Sequence, residues 1–246
     1  MSAWLFDLGN TRLKCAPLGR DGRPGETIAL PHREEDVAAA LAEALPARVD
    51  VAYLASVASP GLRVAVLDAL TARCGRISIA RTQSRFGPVR IAYAQPHKLG
   101  VDRFLALLAV HAQGGGDALV CGVGTALTID LIDRDGRHLG GRIAPSPTLM
   151  REVLHARAPQ LPEAGGTYVD FAADTEDALA SGCDGAALAL IERSLDVARD
   201  ALGRTPRLLL HGGGSEPLAA RLPNATQVAT LVLDGLAIWA GAESAT

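Results

Sequence analysis

The segment Asp7-Leu8-Gly9-Asn10-Thr11-Arg12-Leu13-Lys14 follows a short apolar run, Ala3–Phe6, which predicts a first strand. Asp7 ends this run with a carboxylate, Gly9 has no side chain, and Asn10 and Thr11 supply short polar groups. A strand that ends in this way brings backbone N–H groups and a hydroxyl close to an anion. A carboxylate beside that anion can direct a magnesium ion through water. The segment therefore predicts a phosphate-binding turn, and an ordinary hairpin turn is the alternative that these residues leave open.

The composition restricts the class of protein. The 246 residues are 48% hydrophobic and 21% charged, which is typical of a globular protein with a sizeable core. A net charge of −3 offers no basic surface for nucleic acid, and no apolar run approaches the roughly 20 residues that span a bilayer. The N-terminus lacks the basic leader of a secretory signal, and the cysteines form no C-x-x-C pair. We therefore expect a cytoplasmic protein with reduced cysteines, without nucleic-acid or membrane partners.

The hydrophobic pattern alternates between strands and helices. Predicted strands are Ala3–Phe6, Val49–Ala55, Ala118–Cys121 and Arg207–Leu210, with a hairpin-like run at Thr125–Asp133. Predicted helices are about Glu34–Leu45, Leu62–Arg73, Leu99–His111, Thr148–Arg157, Glu176–Leu202 and Leu231–Ala242. The flexible run Gly114–Gly116 separates two predicted domains, 1–116 and 117–246. This alternation predicts an α/β fold with mixed sheets flanked by helices.

A short internal repeat connects the two halves. Leu5-Phe6-Asp7-Leu8-Gly9 has the same pattern as Val120-Cys121-Gly122-Val123-Gly124, an apolar strand that runs into a glycine turn. Chance is the alternative explanation for so short a repeat. Two similar halves, each with a polar turn, could hold a polyphosphate.

Three turns combine glycine with a hydroxyl after an apolar strand: Gly9–Thr11, Gly124–Thr128 and Gly212–Ser215. Neither a P-loop nor a Rossmann glycine motif is present in the sequence. Ligands of α/β folds bind where strands end, so the three turns together predict a nucleotide site of another kind.

The motif Gly100-Val101-Asp102-Arg103 opens an apolar helix. Asp102 could accept a proton from a substrate hydroxyl, and Arg103 could pair with a carboxylate or a phosphate. The structural alternative is an aspartate that favours the positive end of the helix dipole, beside a solvated arginine.

Taken together, these motifs resemble the type III pantothenate kinases over nearly the whole chain. The resemblance is carried, in order, by Asp7-x-Gly9-Asn10-Thr11-x-x-Lys14, Gly100-x-Asp102-Arg103, Gly124-Thr125-Ala126-x-Thr128-x-Asp130 and Gly140-Gly141-x-Ile143-x-Pro145. It implies two ribonuclease-H-like domains of the actin-like ATPase type, facing each other across a nucleotide cleft. It also implies ATP-dependent phosphorylation of pantothenate, the first step toward coenzyme A, by a homodimer.

The resemblance also implies residue roles. Asp102 corresponds to the catalytic base, and Asp7 and Asp130 to residues that direct magnesium. The expected ATP contacts are Asp7, Gly9, Asn10, Thr11, Lys14, Thr125, Gly212 and Gly213. The expected pantothenate contacts are Tyr93, Gly100, Val101, Asp102, Arg103 and Thr175.

Two positions depart from the family pattern. The family carries an aspartate that serves a monovalent cation, potassium or ammonium, where this chain has Gly122. Cation binding is therefore in question or must rely on backbone carbonyls, and we expect activity with weaker dependence on potassium. Ser146 follows Pro145 where the family has glycine, and could alter the turn or cap the next helix. A non-catalytic accessory protein and a nucleotide hydrolase on the same fold are the rival functions.

Overall fold

The computed structural model describes residues 2–31 and 35–244. These residues form two compact units. The first comprises the chain up to Gly115 together with the residues from Thr230 onward, and the second is Gly116–Ala229. The chain beyond Thr230 groups with the first unit. The two domains 1–116 and 117–246 stay a prediction.

In chain order, the strands are β1 Ala3–Leu8, β2 Arg12–Pro17, β3 Ile28–Pro31, β4 Val49–Ser56, β5 Cys74–Ile79, β6 Arg85–Phe86, β7 Val89–Arg90, β8 Ala118–Val123, β9 Ala126–Ile132, β10 His138–Pro145, β11 Arg207–His211 and β12 Ala225–Gln227. The α-helices are α1 Val37–Ala44, α2 Pro60–Thr71, α3 Val101–Ala112, α4 Pro147–Arg157, α5 Thr175–Leu202, α6 Ser215–Ala219 and α7 Leu231–Glu243. A short 3-10 turn, Pro96–Lys98, precedes α3. The predicted start of the first helix, Glu34, lies outside the described residues.

The helix boundaries follow from local capping. Ser59 accepts a hydrogen bond from the Leu62 N–H in front of α2, and Pro60 occupies the first helical position. The side chain of Asp174 caps α5 in the same way, by accepting from the Asp177 N–H. Gly203 ends α5 in the left-handed conformation, with φ of 68°, which glycine adopts without steric strain.

The sheet of the first unit runs in the order β3-β2-β1-β4-β5. β1 pairs antiparallel with β2 and parallel with β4, and β4 pairs parallel with β5. Trp4, Phe6 and Leu8 join one apolar cluster with buried residues of α1 and α2. Side chains alternate along a strand, so Leu5 and Asp7 project from the opposite face. Tyr53, the partner of Leu5 on β4, makes an edge-on contact with Trp239 of α7, which places α7 on that face.

The sheet of the second unit runs in the order β10-β9-β8-β11-β12. β8 pairs antiparallel with β9 and parallel with β11, and β11 pairs parallel with β12. This is the strand order and direction of the first sheet, with β8 in the place of β1. The predicted α/β fold with two mixed sheets is therefore confirmed, and the short sequence repeat marks equivalent central strands.

The last helix completes the first unit through a close contact with α3. A Cβ atom at Gly235 of α7 would overlap the carbonyl oxygen of Leu105 on α3. Glycine therefore allows the two helix backbones to approach each other closely. Phe104, Leu105 and Leu107 on α3, and Leu236 on α7, are fully buried. This packing explains why residues beyond Thr230 belong to the first unit.

We expect Gly235→Ala to destabilise the protein by about 3 kcal/mol or more, because the obstacle is backbone and cannot rotate away. Gly241→Ala on the same helix is the matched control, since residue 241 is exposed and its added Cβ would meet no other atom within 4 Å. Alanine should there stabilise the helix by about 0.5–1 kcal/mol. Urea unfolding of both variants measures the difference, and equal midpoints would contradict the proposed close packing.

Candidate functional site

Asp7 stands near the end of β1, on the face opposite the α1 and α2 helices. Lys14 lies directly across from it on β2, in register. Both side chains are only partly exposed. Burial raises the pKa of Asp7 to about 7; the negative charge of Asp102 adds to the increase, and Lys14 opposes it. The site thus places two carboxylates close enough to repel each other, and a bound cation would reduce this repulsion.

The turn between β1 and β2 is the one that the sequence predicted for phosphate. The structure forms it as a hairpin, in which the N–H of Gly9 donates to the carbonyl of Arg12 at 3.1 Å. The turn is therefore a hairpin, and its contact with phosphate stays a prediction. Asn10 and Thr11 are exposed at its tip.

Asp102 lies in the first turn of α3, where the helix dipole favours a negative charge. A Cβ atom at Gly100 would lie 2.5 Å from Oδ1 of Asp102. The missing side chain at residue 100 therefore makes room for this carboxylate. Upstream, the hydroxyl of Thr82 donates to the carbonyl of Leu99 at 2.8 Å and fixes the approach to the helix. Val101, the first helical residue, is buried.

Arg103 is buried, with only 5% of its surface exposed, and is not the solvated arginine of the structural alternative. Its Nη1 donates to the hydroxyl of Tyr93 at 3.4 Å. Its guanidinium carbon lies 5.9 Å from the centre of the Tyr93 ring. The structure thus brings together two residues that were predicted to contact one substrate. A buried guanidinium beside an aromatic ring suits a small molecule with a carboxylate and apolar groups.

The second unit brings its two predicted glycine turns together. The N–H of Gly214 donates to the carbonyl of Val123 at 3.0 Å. Gly212 has φ of 94°, and a Cβ there would overlap the backbone of Val123. The end of β11 therefore packs directly on the end of β8. Gly124 and Gly213 are exposed at this corner, as is Thr125. Such carboxyl ends of parallel strands are where α/β sheets bind ligands.

Ser146 is hydrogen-bonded to the first of these turns. Its hydroxyl donates to the carbonyl of Thr125 at 3.0 Å and accepts from the Leu149 N–H at 3.2 Å. The expectation that Ser146 caps the next helix is confirmed, because it is the N-cap of α4. Its second bond ties that helix to a predicted ATP contact, which the sequence did not indicate.

Gly122 has no room for a side chain. A Cβ there would lie 2.7 Å from Oγ1 of Thr128 and 2.9 Å from Nε2 of His211. An aspartate at residue 122 would therefore require both neighbours to move. From the sequence, His211 stood beside the predicted Gly212–Ser215 turn as a possible nucleotide contact, at a position where the family pattern more often has threonine. Its contact with Gly122 could not be predicted, because it depends on the register between β8 and β11.

Two other predicted site residues lie elsewhere in the second unit. Asp130 on β9 is buried, and its Oδ1 lies 2.9 Å from Nε2 of His138. Thr175 is the first residue of α5 and lines a hollow of about 480 Å³. The other residues that line this hollow are Leu161, Ala172, Ala173, Asp174, Ala178 and Leu179.

Sequence comparisons agree on one family. A family model described as type III pantothenate kinase matches residues 4–196. A protein of Xanthomonas axonopodis pv. citri (strain 306), named type III pantothenate kinase, is 57% identical over 244 residues and covers 99% of each chain. A protein of Xylella fastidiosa (strain 9a5c) with the same name is 56% identical over 240 residues and covers 98% of each chain.

Structural comparisons support the fold. A conserved putative Baf family transcriptional activator from Campylobacter jejuni superposes with a TM-score of 0.64 at 19% identity, covering 99% of this chain and 100% of that one. A putative 2-dehydro-3-deoxygalactonokinase from Sinorhizobium meliloti gives 0.60 at 17% identity, with coverage of 98% and 96%. An archaeal actin homologue gives 0.52 at 14%, with coverage of 98% and 100%. These likenesses show the actin-like ATPase and sugar kinase fold.

The raised pKa of Asp7 predicts a dependence of stability on pH. Between the ordinary aspartate pKa, near 4, and the folded value of about 7, the folded state holds a proton that the unfolded state has lost. The free energy of unfolding therefore falls as the pH rises through this range. Asp7→Asn abolishes the titration, so we expect its stability relative to the natural chain to increase by about 1–3 kcal/mol from pH 5 to pH 8.

Urea unfolding without nucleotide, at several pH values, measures this change. Asp200→Asn is the control for the general effect of replacing an aspartate by asparagine, because Asp200 is exposed on α5. If the free energy of unfolding changes with pH in the same way for the natural chain and Asp7→Asn, residue 7 does not carry a buried carboxyl with a raised pKa.

Proposed function

The chain belongs to the type III pantothenate kinase family, and from this premise we propose which residues carry each part of the reaction. It is a kinase that transfers a phosphoryl group from ATP to the primary hydroxyl of pantothenate, giving 4'-phosphopantothenate for coenzyme A synthesis. The observation that supports our assignment best is that Asp102 stands close enough to Asp7 for its charge to raise the pKa of Asp7.

Asp102 is the proposed general base. Its carboxylate takes the proton from the hydroxyl while the hydroxyl oxygen bonds to the γ-phosphorus and the bond to the β-phosphate oxygen breaks. Phosphoryl transfer depends mainly on positioning and on charge stabilisation, so a carboxylate held at a helix start is well suited to it. Gly100 leaves the space in which this carboxylate sits.

Pantothenate is the proposed ligand of Arg103 and Tyr93. The buried guanidinium provides the charge partner for the substrate carboxylate, and the ring of Tyr93 provides an apolar surface with a polar tip. Gly100 and Val101 border the same helix start and contribute backbone contacts. Thr175 remains a proposed pantothenate contact, which its place in the hollow beside α5 allows.

ATP is the proposed ligand of the polar turns. Asp7 and Lys14 are assigned to its phosphates, together with Gly9, Asn10 and Thr11 at the hairpin tip. Thr125 is a further ATP contact in the second unit, and Gly212 and Gly213 are assigned to the adenosine side of the nucleotide. Asp7 fits a magnesium ion that reaches the protein mainly through water and phosphate, because a partly buried carboxylate with a raised pKa favours a nearby cation. The bound ion would neutralise phosphate charge. Asp130 is the proposed second metal-directing residue, and His138 orients its carboxylate.

The residues around Gly122 do not fit a monovalent cation held by a side chain. Residue 122 has no oxygen ligand to offer, and the adjoining space is taken by Thr128 and His211. We therefore derive no step through potassium or ammonium.

The assembly and location of the enzyme are further proposals. Large apolar side chains of the second unit are exposed, among them Ile143 at 65% and Phe171 at 100%, and a second copy of the chain would cover such groups in a homodimer. No helix among residues 2–31 and 35–244 has the length and apolarity needed to cross a membrane. Free cysteines and the use of ATP support a cytoplasmic location.

The rival functions are not favoured. A non-catalytic accessory protein needs no base, yet Gly100 leaves space for the Asp102 carboxylate. A nucleotide hydrolase needs no side chains that bind a second substrate. Here Arg103, which follows Asp102 in the chain, is hydrogen-bonded to Tyr93, and the two are proposed to bind that substrate. The relatives that cover 98–99% of the chain are also named as kinases of pantothenate.

The assignment of Asp102 predicts that Asp102→Asn lowers kcat by about 10²–10⁴-fold, the usual contribution of a positioned base. Gly100→Ala should lower kcat by about 10²-fold, because its Cβ displaces the same carboxylate. The measurement is phosphopantothenate formation from ATP, magnesium and pantothenate. Asp68→Asn, an exposed carboxylate on α2, is the control and should retain full activity.

The outcomes separate the functions. ATP binding by the natural chain without turnover would support the accessory protein instead, and ATP loss that ignores pantothenate would support the hydrolase. An Asp102→Asn variant with unchanged kcat would remove the base from this residue while leaving the family assignment intact.

A second prediction concerns the monovalent cation. Because residue 122 supplies no ligand, we expect rates in sodium, potassium and ammonium salts of equal ionic strength to agree within about twofold, a difference of less than roughly 0.5 kcal/mol in the barrier. The same assay, started from protein dialysed free of potassium, measures this. A rate that collapses in sodium would show that the backbone or another group binds potassium.

A further inference from the structure

The two sheets can be compared position by position, because they have the same strand order. In the first unit, Asp7 on the central strand has Lys14 and Ala55 as its register partners. In the second unit, the equivalent position is Gly122, with Thr128 and His211 as its partners. In the first unit the large polar side chain, Asp7, is on the central strand. In the second unit it is His211, on the neighbouring parallel strand.

The contacts explain this exchange. Nε2 and Cε1 of His211 would lie 2.9 and 3.1 Å from a Cβ at residue 122, closer than side-chain atoms normally approach. The imidazole therefore occupies the space into which a side chain of residue 122 would project. Gly122 and His211 form a matched pair, in which the absence of one side chain admits the other.

The surroundings of the ring suit an anion. His211 is the last residue of β11 and directly precedes Gly212, which packs on the backbone of Val123. The ring is half-buried and shares a sheet face with Thr128, opposite the face that packs on α5. Next to it, Thr125 and Gly213 are exposed at the tips of the two turns. An imidazole ring carries an N–H group of the kind that binds phosphate oxygens.

We propose that His211 binds the phosphate groups of ATP, and that Gly122 is glycine because the imidazole takes the place of its side chain. The role is the counterpart of Asp7 at the equivalent position of the other unit, with the opposite chemistry. This proposal rests on the proposed function for the identity of the nucleotide. The sequence placed His211 only beside a predicted nucleotide turn; the contact with phosphate and the dependence on Gly122 are new.

The first test compares ATP with adenosine, which lacks phosphates. Calorimetric titration without pantothenate should show that His211→Ala weakens ATP binding by about tenfold to a hundredfold, the range of one charge-assisted hydrogen bond. Adenosine binding should change by less than about twofold, a factor too small for a lost hydrogen bond. In the kinase assay, KM for ATP should rise while KM for pantothenate stays constant.

The second test is a double-mutant cycle on Gly122 and His211. Gly122→Ala should weaken ATP binding because its Cβ pushes the ring aside. In the double variant Gly122→Ala, His211→Ala there is no ring to displace, so ATP should bind as it does to His211→Ala alone. Such a non-additive cycle is the signature of two residues that act through one contact.

Several results would overturn the proposal. These are equal losses of ATP and adenosine binding by His211→Ala, a rise in KM for pantothenate instead of ATP, or additive effects in the cycle. If His211→Ala lowers the melting temperature, His211→Gln keeps a donor of similar reach and should bind ATP better than the alanine variant. Binding is read without turnover, so the failure of pantothenate phosphorylation would leave this test standing.

Discussion

The alternation of side chains along β1 determines where the chemistry of the first unit lies. Trp4, Phe6 and Leu8 must face α1 and α2, because together they form the apolar cluster on that side of the sheet. Asp7 is then forced to the other face, beside Lys14 and within electrostatic reach of Asp102. A shift of one residue in the register of β1 would bury the carboxylate in the apolar cluster. The packing of the core therefore also determines that Asp7 lies near Asp102.

The same constraint operates in the second unit with other residues. Leu119, Cys121 and Val123 face α5, so Val120 and Gly122 face away from it. On β11 the alternation places Leu208 and Leu210 in the core and leaves His211 on the face of Gly122. Each sheet thus presents one large polar group near the end of its central strands. The duplicated topology supplies the position, and the local sequence decides whether the group is an acid or an imidazole.

Much of the fold could be predicted from the sequence. Elements with a clear hydrophobic pattern, such as β4, β8 and α5, lie within one or two residues of their predicted bounds, because hydrophobic periodicity is a local signal. The strands β3 and β12 were not predicted, since they are short, lie at sheet edges and carry little apolar pattern. The grouping of α7 with the first unit was missed for another reason. It depends on the contact between Gly235 and Leu105, which are far apart in the chain.

The site shows the same division between local and long-range information. Asp102 and Arg103 were proposed from a local motif and Tyr93 from the family resemblance, and the structure adds that Arg103 is buried against Tyr93. Ser146 was expected to cap a helix, which is a local property, but its bond to Thr125 joins residues 21 positions apart. His211 could be noted only as a neighbour of a predicted nucleotide turn, because its relation to Gly122 depends on the space that the glycine leaves. A glycine in a sequence shows only that a side chain is missing. The register between β8 and β11 shows that this space belongs to the histidine.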